Sequence, residues 1–301
     1  MSNESKEFFE FKNKFTLRIR NNLEETFKKY SSTNVSGIIE PMKYSSLNDS
    51  KFIRSLLVYA TGSTLNINFK LLDQHALAVE LIHTYTLIHD DLPCMDDDDI
   101  RRGAPSCHIA FGESSAILAG DALQTLAFEI LSENRHKDIT FKQQLLWINY
   151  LSNLIGVNGV AGGQYKDLSV NNKTSNITEL QDIYMLKTAY LIAPCIMLPY
   201  ILEKNYPTDK DKLYRFAIEL GLGFQIKDDL LGYTSSSEVL GKTKNKDKLR
   251  NQPNYVSLLG VDGTIKKLEE HKELVNTILK DIGFNNSMLF ETSNYIFNRE
   301  F

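Results

Sequence analysis

Residues 71–103 read LLDQHALAVELIHTYTLIHDDLPCMDDDDIRRG, an apolar run that closes on six aspartates and two arginines between positions 90 and 102. Leu72, Ala76, Val79, Ile82 and Leu87 fall near one face of a helix over 71–88, and His83 and Asp90, two turns apart, share a side. The bland reading of such a tail is a solvated acidic loop at a helix end. Leu81, Ile82, Leu87 and Ile88, directly before it, argue against full solvation. Carboxylates at a helix C-terminus also sit against the negative end of the macrodipole, so a concentration of them there calls for a cation. A calcium loop does not fit, because alternating acidic ligands and a mid-loop glycine are missing and Arg101 and Arg102 precede Gly103. Hard oxygen donors with room for water and phosphate suit Mg²⁺.

Outward from this stretch the hydrophobic pattern stays helical, with no strands alternating with helices, and the expected class is all-α. A second helix over 213–231 carries Phe216, Leu220 and Phe224 on its apolar stripe, with Gln225, Asp228 and Asp229 at its end. Its GFQIKDDLLGY, residues 223–233, is a second acidic group. If it faces the first across a cavity, the two can hold Mg²⁺ ions that bridge a diphosphate. Loop signals fall at 31–41, 101–105, 171–176 and 241–253. A small polar N-terminal helix and a polar C-terminal tail frame what reads as one domain, 1–301.

Composition narrows the function. The 301 residues are 42% hydrophobic and 24% charged with a net charge of −4, a globular balance without the basic face that nucleic-acid binding needs. The charged N-terminus lacks a signal-peptide core, and no long apolar run suggests a membrane anchor, so a cytoplasmic protein is expected. Cys94, Cys107 and Cys195 fit neither a disulfide framework nor a zinc spacing and read as reduced thiols.

DDLPCMD at 90–96, RRG at 101–103, GDALQTLAF from Gly120, GGQ from Gly162, KT at Lys187, FQ at Phe224 and GK at Gly241 occur in the order found in the trans-type isoprenyl diphosphate synthases, which the chain resembles over nearly its whole length. The farnesyl-forming bacterial members are most similar. The resemblance implies a helical bundle around a deep central cavity, a homodimer, and three Mg²⁺ ions, replaceable by Mn²⁺, between the acidic motifs. It assigns the metal to Asp90, Asp96 and Asp228, with Asp91 and Asp229 supporting. Arg101, Lys187, Thr188, Gln225 and Lys242 would bind the allylic diphosphate, and Lys51, Arg54, His83 and Arg102 isopentenyl diphosphate. Tyr85 beside Thr86 would floor the cavity and stop growth at fifteen carbons, as farnesyl diphosphate. Departures from the family pattern stand at Phe52, Gly232, Gln252 and Phe301. The alternatives are a geranylgeranyl diphosphate synthase, a weakly active or non-catalytic subunit of the same fold, and a terpene cyclase. The last would not need Lys51, Arg54 and His83 for a second diphosphate.

Overall fold

The helical periodicity is realised throughout the computed structural model, which describes residues 5–31, 34–48, 50–133, 135–169, 176–203, 209–234 and 253–299. Helix α1 (Lys6–Lys28) is capped by Ser5, whose hydroxyl accepts the Phe8 amide at 3.2 Å. It buries Phe8, Phe15, Ile19, Leu23 and Phe27, each contributing roughly 1.5–3 kcal/mol. The small polar helix expected here is therefore corrected. Its charges cover one face, and the apolar residues between them recur at helical spacing and enter the core. A 3₁₀ turn (Ser36–Ile38) leads into α2 (Ile39–Leu47), so the expected loop 31–41 already turns helical at Ile39. Pro41 occupies the first turn of α2, where its missing amide costs nothing.

Helix α3 (Ile53–Thr64) precedes α4 (Asp73–Asp90), the acid-tipped helix. Arg18 donates to both oxygens of Asp73, at 2.7 and 2.6 Å, and Tyr59 donates to Asp73 at 2.7 Å, which pins the start of α4 to α1 and α3. A stripe was expected on α4, but Leu77, Ala78 and Leu81 are as buried as Ala76, Val79 and Ile82. With α3, α6 and α10 packed around it, α4 is a core strut and not a one-sided surface helix.

Strands β1 (Ile100–Arg101) and β2 (Ala104–Pro105) pair antiparallel, Ile100 with Pro105 and Arg101 with Ala104. Arg102 (φ 52°) and Gly103 (φ 75°) make the turn, both left-handed, as a tight two-residue hairpin requires. There follow α5 (Cys107–Phe111), α6 (Glu113–Ser132), α7 (Phe141–Ile155), α8 (Val160–Ser169), α9 (Ile177–Tyr184), a π-helical turn (Met185–Ala189) and α10 (Tyr190–Tyr200). Then come α11 (Lys210–Thr234), α12 (Tyr255–Asp281) and α13 (Met288–Asn298). Helix α11 continues past Asp228 and Asp229 to Thr234, so the second aspartate pair is not at a helix end as expected. The C-terminus is not a polar tail either, because α13 buries Leu289, Ile296 and Phe297.

One continuous core runs from Phe8 to Phe297. Ile177–Tyr200 is long and apolar enough by composition to cross a membrane, but 72% of its apolar window is buried within the bundle. The three cysteines are free thiols. Of the sequence expectations, the loop residues 171–175 and 241–252, with Lys242 and Gln252, and Phe301 lie outside the described residues.

Candidate active site

The first acidic wall is made by the way the chain leaves α4. Asp90 ends the helix and Asp91 caps it. The chain then winds back on itself: the amide of Asp96 donates to the Asp90 carbonyl at 2.7 Å, that of Asp97 to Leu92 at 3.0 Å, and that of Asp98 to Asp91 at 3.1 Å. Asp96 is thereby folded over Asp90. Burial pushes the Asp90 carboxyl up to about 6; Asp96 and Asp91 add to this, while Lys187 and Arg101 oppose it. Asp91 is fully buried and engaged by Arg101, whose Nε donates to both its oxygens at 3.0 Å and whose Nη2 lies closer still. Asp98 stands 3.6 Å from the same guanidinium. Asp91 thus serves as the counter-ion that orients Arg101.

The opposing side is the π-turn, a wide turn of the kind that recurs at functional sites. Lys187 projects from it and donates to Asp167 of α8 at 2.7 Å. Burial works against the charge on Lys187, but Asp167, Asp90 and Asp96 outweigh it and hold the ammonium well above its ordinary pKa. Two glycines clamp this turn. A Cβ on Gly163 would fall 2.6 Å from the Lys187 amide nitrogen, and one on Gly221 would fall 2.4 Å from the Ala189 Cα. Both approaches are backbone against backbone, so only glycine fits. The GGQ match therefore has a physical cause: α8 must touch the turn that presents Lys187. Gly163→Ala is expected to displace that turn and lower turnover about tenfold with the helical signal retained. Steady-state rates beside circular dichroism test this, and unchanged turnover would show that the turn tolerates the shift.

The second wall is joined to the first through the same turn. Thr188 donates to Gln225 at 2.8 Å, and Gln225 in turn reaches Asp229 at 3.4 Å. Asp229 also accepts from the Tyr184 hydroxyl and the Tyr255 amide, each at 2.9 Å, so its carboxylate ties α9, α11 and α12 together. Burial raises it to about 7 against those hydrogen bonds. Asp228 is the open member of the pair, its side chain 42% exposed, and it accepts from Arg299 at 2.7 Å. Arg299 also donates to the Phe224 carbonyl at 3.0 Å and lies 3.8 Å from the Phe224 ring. Gly232, where the family pattern has a further aspartate, faces open space, and a Cβ there would meet nothing within 4 Å.

Of the residues assigned to the second diphosphate, Arg54 is buried and Arg102 and His83 are half-buried, while Lys51 is exposed. What the sequence reading missed is Glu80, a buried carboxylate that accepts the Ser55 amide at 2.8 Å. Burial raises its pKa, and Arg54 and Arg102 act against that. It is the lone charge in ALAVELI, a signal that was available. Asp167, Tyr184 and Arg299 are likewise unassigned there, although Asp167 lies three residues past GGQ and Tyr184 three before KT. Phe52, which replaces a basic residue, is buried at φ 50°, a strained left-handed position at the start of α3.

Tyr85 is 8% exposed and packs edge-on against His89, ring centroids 5.8 Å apart. His89 Nε2 lies 3.0 Å from the Ile117 carbonyl, and a Cβ on Gly120 would fall 2.1 Å from that nitrogen. The glycine of GDAL is thus the place where α6 closes over the end of α4. The Thr86 hydroxyl donates to the His83 carbonyl at 2.8 Å, back onto its own helix.

Asp90 and Asp229 have folded-state pKa values above the ordinary carboxylate value, so between about pH 4 and 7 the folded chain holds more protons than the unfolded one. Their contribution to stability is present at the acid end of that window and is lost as pH rises through it. In the metal-free protein, Asp90→Asn is expected to flatten the fall of the thermal midpoint between about pH 5 and 7. Calorimetry on both proteins decides, and parallel curves would count against a raised Asp90.

An all-α bundle with two aspartate pairs joined by a buried lysine turn defines a prenyltransferase of the isoprenoid synthase type. Residues 35–287 match the family model for polyprenyl synthetase. The farnesyl diphosphate synthase of Buchnera aphidicola subsp. Acyrthosiphon pisum is 39% identical over 91% of this chain and 98% of its own. Among solved structures, a geranyltransferase from Legionella pneumophila superposes with a TM-score of 0.85 at 31% identity, over 97% of each chain. Another from Helicobacter pylori, complexed with magnesium and isoprenyl diphosphate, gives 0.79 at 28% identity over 94% of this chain and 96% of its own. The chain belongs to the polyprenyl synthetase family.

Proposed function

We infer that this chain makes farnesyl diphosphate, joining isopentenyl diphosphate first to dimethylallyl and then to geranyl diphosphate. The observation that carries the reading is Lys187, held by Asp167 and facing Asp90 and Asp96, in a chain whose relatives include farnesyl diphosphate synthases. The residues fit a hard cation: Asp90, Asp96 and Asp228 offer oxygen donors alone. Three Mg²⁺ ions are the proposed complement, with Mn²⁺ able to replace them, held by Asp90, Asp96 and Asp228. Bound there, Mg²⁺ supplies neutralising charge for a departing diphosphate.

The chain's own residues do the rest. Arg101, Lys187, Thr188 and Gln225, with Lys242 from outside the described residues, hold the allylic diphosphate. Lys51, Arg54, His83 and Arg102 hold isopentenyl diphosphate, and Glu80 keeps Arg54 and Arg102 directed toward it. Asp91 and Asp229 act by positioning Arg101 and Gln225. The allylic C–O bond breaks and its electron pair leaves on the diphosphate. The double bond of isopentenyl diphosphate then attacks the allylic carbon, and a proton passes to a diphosphate oxygen. Tyr85 and Phe224 help to exclude water that would trap the cation.

The whole of 1–301 acts as one domain in this reading, as a cytoplasmic homodimer. Ile117 and Leu118 of α6 with Phe141, Leu145 and Leu146 of α7 are exposed apolar residues suited to a second copy. Purified protein incubated with Mg²⁺, labelled isopentenyl diphosphate and either allylic primer should yield a fifteen-carbon product, and EDTA should abolish it. No labelled product from either primer would sink the reading.

A further inference from the structure

Beyond the first acidic wall lies a cluster that none of the roles above uses. The carboxylates of Asp97 and Asp99 and a ring nitrogen of His108 lie within 4.8 Å of one another. The aspartates precede the β1–β2 hairpin and the histidine follows it on α5, so the three join the two flanks of that hairpin. The aspartates are exposed, whereas His108 is only 6% exposed. Its Nδ1 is 3.1 Å from the Ser106 hydroxyl. Its Nε2 is buried and has no hydrogen-bond partner. A buried polar atom left unpaired is unfavourable and points to a missing ligand. In the tautomer whose Nδ1–H donates to the Ser106 hydroxyl, Nε2 keeps its lone pair, the arrangement in which a second hydrogen bond orients a metal-binding histidine.

We propose that His108 Nε2, Asp97 and Asp99 form a binding site for Zn²⁺, separate from the oxygen-only Mg²⁺ walls. One imidazole and two carboxylates are a borderline donor set that favours zinc over magnesium. Zinc ligands at about 2.1 Å in tetrahedral array stand roughly 3.4 Å apart, so donor atoms within 4.8 Å of one another need close by no more than about 1.4 Å. Exposed Asp97 and Asp99 can make that movement by side-chain rotation. A fourth position stays open to water. The ion would staple the hairpin that carries Arg101 and Arg102, and the inference stands whether or not the farnesyl reading does, because its test reads bound metal.

The full chain, in excess Mg²⁺ to occupy the oxygen walls, is titrated with Zn²⁺ by calorimetry. One equivalent is expected, with affinity reduced at least tenfold in both His108→Gln and Asp99→Asn and retained in Asp90→Asn. Asp99 is exposed, so its variant remains decisive even if His108→Gln does not fold. Absence of zinc uptake by the wild type, wild-type affinity in Asp99→Asn, or loss of the site in Asp90→Asn alone would each overturn the proposal. Co²⁺ substitution adds an independent reading: a thiolate charge-transfer band would assign the ion to Cys94 or Cys107 instead.

Discussion

Asp90→Ala and Asp228→Ala are each expected to lower turnover by about a thousandfold or more, a loss of roughly 4 kcal/mol of transition-state stabilisation, with the helical circular dichroism signal intact. Asp90 is half-buried at the tip of α4 and Asp228 is partly exposed on α11, so neither truncation opens the core. Each removes an oxygen donor at the point where leaving-group charge must be neutralised. Asp91→Ala should behave differently. It leaves the guanidinium of Arg101 buried without its main partner, and the protein should lose stability as well as activity. Steady-state kinetics beside thermal denaturation separates the cases. Near-normal turnover in both the Asp90 and Asp228 variants would remove the two-wall mechanism.

Tyr85→Ala is expected to move the product from fifteen carbons to twenty or more. Tyr85 lies five residues before Asp90 on α4, so its Cα sits about 7.5 Å back along the axis from the first wall. A prenyl tail anchored at the diphosphate must grow toward that depth. Five residues turn about 500° around the helix, roughly 140° beyond a whole turn, so the side chain does not share the face of Asp90. Its ring instead packs on His89, at the seam between α4 and α6. Removing it takes away a wall of that seam and adds a cavity, at a stability cost typically of about 3–5 kcal/mol. Product length, unlike rate, is insensitive to the fraction of folded enzyme, so chromatography of the dephosphorylated products is the right readout. A mutant that still stops at fifteen carbons would exclude Tyr85 as the floor, and a twenty-carbon product from the wild type would overturn the farnesyl assignment.

The structure also explains why some site residues could be read in the sequence and others could not. Asp90, Asp96, Lys187 and Gln225 sit in short motifs, and neighbouring motifs of the same set carry glycines at close approaches, Gly163 against the Lys187 backbone and Gly120 against the His89 ring. Chemistry and packing coincide there, and the pattern is dense enough to recognise. Glu80, Asp167 and Arg299 act through partners 26, 20 and 71 residues away, namely Arg54, Lys187 and Asp228 respectively. No local pattern carries such pairings.

By itself the sequence determined the helical class and the two aspartate pairs, because periodicity and short-range spacing are local properties of the chain. Tertiary structure decided which partner each carboxylate takes. Asp91 and Asp229 look equivalent to Asp90 and Asp228 along the chain, yet Arg101 engages the first, and Tyr184, Gln225 and the Tyr255 amide engage the second. It also made α1 and α13 core elements where polar ends were expected, and set His108 beside Asp97 and Asp99. Burial and partner choice depend on which helices meet, and that is fixed only when the whole apolar surface is packed at once.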